Sequence, residues 1–267
     1  MKRLDEFVQM TVIMAILVIT SGCSETYTTM RGMKSAERAY NERSRAELVA
    51  YMPLKTMFPD EQARALARAA GRGDVRKVDA LVRGGVDVNV RGKGNSTSLF
   101  WAMKSDNLKG FHELLRLGAD PNVIFDDGGT IMHWAVRQHN VDFLKLLLAY
   151  GGNPNLRDSG GRTAIFETTG SQKNRLNLLI AAGADLDAQE SFGFTPIMLA
   201  AARGNFDSVY RLLQSGANWK LETRSGASLL HYVSKMRKAM DPNHELYGWL
   251  RKVIQWLEEH GAQIPEQ

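Results

Sequence analysis

Cysteine is nearly missing from this chain: Cys23 is the only one among 267 residues. A single thiol allows no intramolecular disulfide and no cysteine-based zinc site. No apolar run approaches the ~20 residues needed to cross a bilayer as a helix. Blocks of like charge are missing too. The formal charge is +5, but the basic residues are spread along the chain, so the bias toward an acidic partner or a membrane surface is weak. Chemistry-bearing motifs are absent as well: no HExxH, no G-x-S-x-G elbow and no phosphate-cradling glycine loop. His112, His139, His244 and His260 share no i, i+4 ligand spacing. These absences leave no reason to expect an enzyme, a metal centre or a cofactor.

The first residues read as a targeting segment. Lys2 and Arg3 open the chain, Met10–Ile19 is apolar apart from threonine, and Thr20-Ser21-Gly22-Cys23 follows. A basic start, a short apolar core and small residues before a cut describe a secretory signal. Small residues directly before a cysteine resemble a bacterial lipobox. That resemblance implies cleavage of residues 1–22 and lipid on Cys23, and Ser24 in the next position implies the outer membrane. Thr20, where a large aliphatic is usual, and the acids Asp5 and Glu6 depart from the pattern. Residues 23–58 come next, as lipidated cysteine, tether and short helical spacer. Ser24–Met33 is polar and aperiodic. Lys34–Met52 has helical propensity with a thin apolar face, which makes it an exposed spacer or a small cap on the segment that begins at Pro59.

From Pro59 onward the chain repeats itself. The helix openings Thr97, Thr130, Thr163, Thr195 and Ser228 are spaced 33, 33, 32 and 33 residues apart. The closing glycines Gly85, Gly118, Gly151, Gly183, Gly216 and Gly261 come at intervals of 33, 33, 32, 33 and 45. The missing residue lies near Gly170-Ser171, and the twelve extra ones form a loop-like insertion around Lys238–Tyr247. A fixed period of this length is the signature of a solenoid, whose units bury their apolar faces only against one another. Thr or Ser can cap a helix, Pro196 suits a first helical position, and the closing glycines provide the left-handed turn that ends a second helix.

Thr195-Pro196-Ile197-Met198-Leu199-Ala200-Ala201, followed by Leu212-Leu213-Gln214-Ser215-Gly216-Ala217-Asn218, resembles the ankyrin repeat. The resemblance covers residues 59–267 almost entirely and implies an all-α solenoid of about six repeats, helix-turn-helix pairs joined by β-hairpin loops. It also implies that His133 and His231 tie neighbouring turns together, and it makes Gly92-Lys93-Gly94 a hairpin tip. Arg72-Gly73-Asp74 spells an adhesion tripeptide, but Gly73 is the turn the repeat requires.

The resemblance further implies that partners bind to the hairpin tips and to exposed residues of the first helices, along the concave side. The tips supply Lys93, Ser96, Asp126, Asp127, Ser159, Arg162, Ser191, Phe192, Phe194, Arg224 and Ser225. The first helices supply Lys104, Ser105, Arg137, Gln138, Arg203, Lys235 and Met236. Phe192 and Phe194 flank Gly193 at a tip, where aromatic rings have no structural duty unless one tucks under the adjacent hairpin. Lys93, Lys104, Arg137, Arg162, Arg203, Arg224 and Lys235 set a cation in each full unit, which would steer an acidic protein surface unless it is merely a solvated face. Trp101 and Trp134, in matching positions, read as core residues.

The expectation is therefore a protein-binding lipoprotein of the bacterial envelope that holds one specific partner and no nucleic acid. An immunity protein that sequesters a toxic effector, such as a secreted phospholipase, is the first role to test. A scaffold for an envelope enzyme, or a structural protein on anionic lipid or cell-wall polymer, is the alternative.

Overall fold

The computed structural model describes residues 52–169, 173–244 and 246–265. The expected signal, Cys23 and the tether lie outside these residues, as does nearly all of the Lys34–Met52 spacer.

A one-turn helix, α1 (Leu54–Met57), leads into paired helices: α2 (Glu61–Arg72) and α3 (Val75–Arg83), α4 (Ser98–Lys104) and α5 (Leu108–Arg116), α6 (Ile131–Arg137) and α7 (Asp142–Ala149). In the next unit the first helix is replaced by a 3-10 turn, Ala164–Thr168, followed by α8 (Lys173–Ala181). Then come α9 (Pro196–Ala202) with α10 (Phe206–Gln214), and α11 (Leu229–Ala239) with α12 (Tyr247–Glu259). No strand occurs among the described residues. Single antiparallel bridges, Arg91 with Thr97, Ile124 with Thr130 and Glu222 with Ser228, close the expected hairpin loops.

Three of the five expected openings cap their helices, whereas Thr163 and Ser228 make no side-chain capping bond. Thr97, Thr130 and Thr195 accept hydrogen bonds from the backbone N–H groups of Phe100, His133 and Met198, and Asn107 and Asp74 do the same for second helices. The closing glycines take φ values from 77° to 97°, and an added Cβ would meet nothing within 4 Å at any of them. Glycine is required there for backbone conformation alone.

Between units, one polar device recurs. Asn89 Oδ1 accepts from Asp120 N at 2.7 Å while its Nδ2 donates to Gly118 O at 3.1 Å. Asn122 makes the same pair with Asn153 N and Gly151 O, and Asn155 with Asp185 N and Gly183 O. Asp187 keeps only the accepting half, from Asn218 N at 2.7 Å. Each asparagine clamp satisfies a carbonyl just past a helix end and fixes the stacking of the next unit.

The core is continuous from Met57 and Phe58 to Leu257 and Ala262. Phe111 meets Phe143 edge-on at 5.0 Å, and Phe100 meets Phe125 and Trp134 at 4.7 and 5.4 Å. At the front end, Met57 and Phe58 lie under the first hairpin tip, where a Cβ on Gly92 would fall 2.8 Å from the Phe58 ring. Residues 53–58 thus fill the place of an earlier hairpin. At the back end, Ser234 Oγ donates to the Pro265 carbonyl at 2.8 Å, drawing the tail across α11.

The unit that is one residue short loses regular structure. Thr163 makes no capping hydrogen bond, and the Thr168 and Thr169 hydroxyls turn back onto the carbonyls of Ile165 and Phe166. Hydrogen bonds to both neighbours hold it in place, its own Arg175 reaching back and the next unit's Arg203 and Asn205 reaching in. Arg175 donates to the carbonyls of Gln138 and His139, Arg203 to Thr169 Oγ1, and Asn205 to the Thr169 carbonyl.

Candidate partner-binding face

The hairpin tips form a rail in which three of the four successive pairs are joined by a backbone hydrogen bond. Asp126 N donates to Gly94 O at 3.2 Å, Ser191 N to Gly160 O at 3.0 Å, and Arg224 N to Phe192 O at 3.0 Å. Carboxylates lock the turns from inside: Asp127 Oδ1 accepts from Gly129 N, Asp158 Oδ1 from Gly160 N and Arg162 N, and Glu190 Oε1 from both Phe192 N and Phe194 N. The tips are therefore pre-organised, which lowers the entropy lost on binding.

The two tip aromatics part company. Phe192 is 44% exposed, in a tip position occupied elsewhere by Gly94, Asp127, Gly160 and Ser225. Phe194 is half-buried, its ring 5.9 Å from that of Tyr232 in the next unit. The expectation that aromatics at this tip have no structural duty holds for Phe192 and fails for Phe194, which packs between units.

The row of cations is corrected more deeply. Lys104 Nζ donates to the Met52 carbonyl at 2.9 Å and lies over the Trp101 ring, and burial pushes its pKa below the ordinary lysine value. Arg137 pairs with Glu167 at 2.9 Å, Arg162 with Asp158 at 3.1 Å in its own turn, and Arg203 donates to Thr169 Oγ1. These four hold neighbouring units or turns together, because a half-buried acid, a carbonyl or, for Arg203, the Thr169 hydroxyl stands within reach. Lys93, Arg224 and Lys235 remain exposed, with no acid within ion-pair distance among the described residues. Asp126 is exposed, whereas Asp127 serves its turn and the Gln138 carbonyl anchors Arg175. Ser96 is buried, its hydroxyl donating to Lys93 O at 2.7 Å.

Trp101 and Trp134 are half-buried rather than core. They begin a column that the sequence pattern could have extended. The fourth residue after each cap is Trp101, Trp134, Glu167, Leu199 and Tyr232, and all five are partly exposed. Glu167 interrupts the apolar run. Burial raises its pKa, but the hydrogen bond and charge of Arg137, with Arg162 and His133 behind, outweigh this and hold the carboxyl below its ordinary range. Tyr232 is pushed upward by burial.

His133 behaves as the repeat implies. It is 3% exposed, its Nδ1 shares a hydrogen bond with Thr130 Oγ1 at 2.8 Å, and its Nε2 meets the Arg162 carbonyl of the next hairpin at 3.1 Å. Burial lowers its pKa, a shift that Asp158 and Glu167 oppose. His231 does not repeat this: it is exposed, its ring edge-on to Tyr232, and among the described residues no further hairpin lies beside it to supply a carbonyl. Among the described residues no group of His, Cys, Asp or Glu side chains could hold a metal ion, and no helix is long and apolar enough to cross a membrane.

Two family models of ankyrin repeats match the chain, one over residues 99–171 and one over residues 179–233. The break between them falls on the short, 3-10 unit. Among solved structures, an ankyrin repeat domain from Acinetobacter baumannii AYE aligns at 24% identity with a TM-score of 0.62, over 74% of this chain and 98% of its own. A second ankyrin repeat protein aligns at 23% identity with a TM-score of 0.60, over 72% and 97%. No curated protein matches the chain in sequence. The chain is an ankyrin-repeat protein. Its repeats make it a protein–protein interaction module.

Proposed function

We propose that the chain is a non-enzymatic binding module of the bacterial envelope, held by lipid on Cys23 at the periplasmic face of the outer membrane, where it sequesters a toxic secreted effector such as a phospholipase. The binding part rests on one observation: partly exposed apolar side chains in matching positions, Trp101 and Trp134 before Glu167 and Leu199 and Tyr232 after it, together with the exposed Phe192 at a hairpin tip. A monomer gains nothing from keeping such surface in water, and aromatic anchors on rigid supports are what binding energy concentrates on. The envelope part is supported by Thr20-Ser21-Gly22-Cys23 behind a short apolar run. A lipid tether would raise the inhibitor's effective concentration where a lipid-attacking toxin must act.

The test is a pull-down from envelope extracts with the chain beginning at Ser24, followed by mass spectrometry, run beside a Phe192→Ala, Tyr232→Ala control. Stoichiometric recovery of one toxin by the parent alone supports sequestration, and recovery of an envelope enzyme instead supports the scaffold role. Recovery of the same proteins by both samples removes the proposed face. For the anchor, Cys23→Ala should move the protein from the lipid fraction to the soluble one, and a variant still in the lipid fraction would contradict lipidation.

A further inference from the structure

We infer that the turn between α11 and α12 is a membrane-surface contact, which rests on phospholipid bilayers that carry anionic headgroups. This goes beyond the partner-binding reading and does not need it. The turn lies at the far end of α11 from the hairpin tips, about 15 Å of helix away.

Here the chain departs from its own repeat. Twelve extra residues fall in the last unit, and the other units make the same turn without them. What stands at this turn is apolar surface and positive charge. Leu246, at 46%, is the most exposed large apolar side chain among the described residues. Tyr247 and Trp249 follow in the first turn of α12, both half-buried, with the Trp249 ring 6.0 Å from that of Tyr210. Arg251 and Lys252 come next, exposed, their charges 5.3 and 4.4 Å from the Tyr247 and Trp249 rings. Arg237 and Lys238, also exposed, close α11 on the other side of the turn. None of these four cations has an acid within ion-pair distance among the described residues.

The acids nearby reduce this charge without cancelling it. Asp241 is exposed, its carboxylate accepting from Asn243 N at 2.9 Å inside the loop. Asp207, in the first turn of the neighbouring α10, is half-buried and already partnered. Residues 235–252 together hold five basic residues, Lys235 included, against Asp241 and Glu245. Most of the chain's +5 surplus is therefore gathered at one turn. Helix stability accounts for only half of the pattern. Arg237 and Lys238 suit the C-terminal end of α11, but α12 opens with no acid in its first turn, where one would stabilise it.

The order of side chains along α12 is that of a bilayer interface. Leu246 leads, Tyr247 and Trp249 follow within about 5 Å, and Arg251 and Lys252 lie about 7–9 Å behind. An aliphatic tip, then aromatic rings, then cations match the acyl boundary, the headgroup level and the phosphates. An acidic protein surface would account for the cations but not for an aliphatic tip set ahead of them. No helix here is long and apolar enough to cross the membrane, so the contact is peripheral.

The test places benzoylphenylalanine at Leu246 of the full chain, reconstituted from detergent into phosphatidylcholine vesicles with or without phosphatidylglycerol. Each cation near an anionic surface is worth about fivefold in partitioning, so phosphatidylglycerol should raise the lipid adduct at residue 246 at least tenfold. Raising the salt should remove that excess from the parent. Lys238→Glu, Arg251→Glu and Lys252→Glu together should remove it too, with an unchanged melting temperature. Benzoylphenylalanine at Tyr150 should give no lipid adduct in either vesicle. Equal adduct in both vesicles, an excess that salt leaves intact, no adduct at residue 246, or adduct to protein instead of lipid each overturns the inference. The partner-binding reading is untouched by any of these results, since the pull-down tests it at other residues.

Discussion

Two glycines in helices should respond oppositely to the same substitution. Gly110 and Gly248 both lie in the first turn of a second helix, α5 and α12, and neither has a positive φ. Alanine gains up to about 1 kcal/mol over glycine in a helix, less in its first turn. At Gly248 an added Cβ meets nothing within 4 Å, so Gly248→Ala should stabilise by about 0.5 kcal/mol. At Gly110 the Cβ would overlap the Ala70 carbonyl, lying 2.6 Å from its carbon and 2.8 Å from its Cα. Carbon atoms sit comfortably at roughly 3.5–4.0 Å, so α2 and α5 would have to separate by nearly 1 Å. Overpacking costs about 1–3 kcal/mol, and here the obstacle is backbone, which cannot rotate away, so the upper end applies. Less the propensity gain, Gly110→Ala should lose about 2 kcal/mol. At 2–4 °C per kcal/mol for a chain of this size, the two variants should differ by roughly 5–10 °C in melting temperature. Thermal unfolding monitored by far-ultraviolet circular dichroism reads this directly. A Gly110→Ala protein as stable as its parent would refute the close approach of the two helices.

The remaining predictions concern other links in the stack. His133 has its pKa lowered by burial, so the unfolded chain binds a proton that the folded one refuses. Stability is then complete above the unfolded value near 6.5 and falls as pH drops below it, by up to about 1.4 kcal/mol per pH unit until the folded group also titrates. Urea titrations between pH 7.5 and 5 should show this loss, and His133→Phe should remove that part of the pH dependence. Asn122→Ala should cost about 1–2 kcal/mol by emptying both halves of a clamp. Asn122→Asp, which keeps the accepting half as Asp187 does, should cost less, and equal losses would contradict the two-bond account. Phe192→Ala should leave the melting temperature within about 1 °C, whereas Phe194→Ala should lower it by several degrees. The reverse order would mean that the two rings are misassigned.

Most of the fold is legible because the repeat writes its constraints in residue types that have few substitutes. Thr130 as a cap and Gly151 at positive φ each fill a role open to only one or two side chains, and their spacing exposes them, whereas the Asn122 clamp shows only once the units are stacked. The short unit is visible as a missing residue near Gly170, but a count cannot say that its first helix becomes a 3-10 turn or that Arg175 and Arg203 hold it from either side. The binding face is less legible. Cations at tips and helix ends look free in a sequence, yet Lys104, Arg137 and Arg203 meet partners 30 to 52 residues away, pairings that only the stacking creates, and Arg162 meets Asp158 in its own turn. Leu199 and Tyr232 continue the Trp101 and Trp134 column, but tryptophans that read as core give no reason to look along it. Half-burial, which separates the two readings, depends on how neighbouring units lean on each other.

Photocrosslinking in intact cells of the native host tests the central claim most directly. Benzoylphenylalanine placed at Phe192 should give one dominant crosslinked protein, while the same residue at Tyr150, exposed at the end of the outer helix α7, should give none. Crosslinks from Tyr150 but none from Phe192 would contradict the assignment of the binding face.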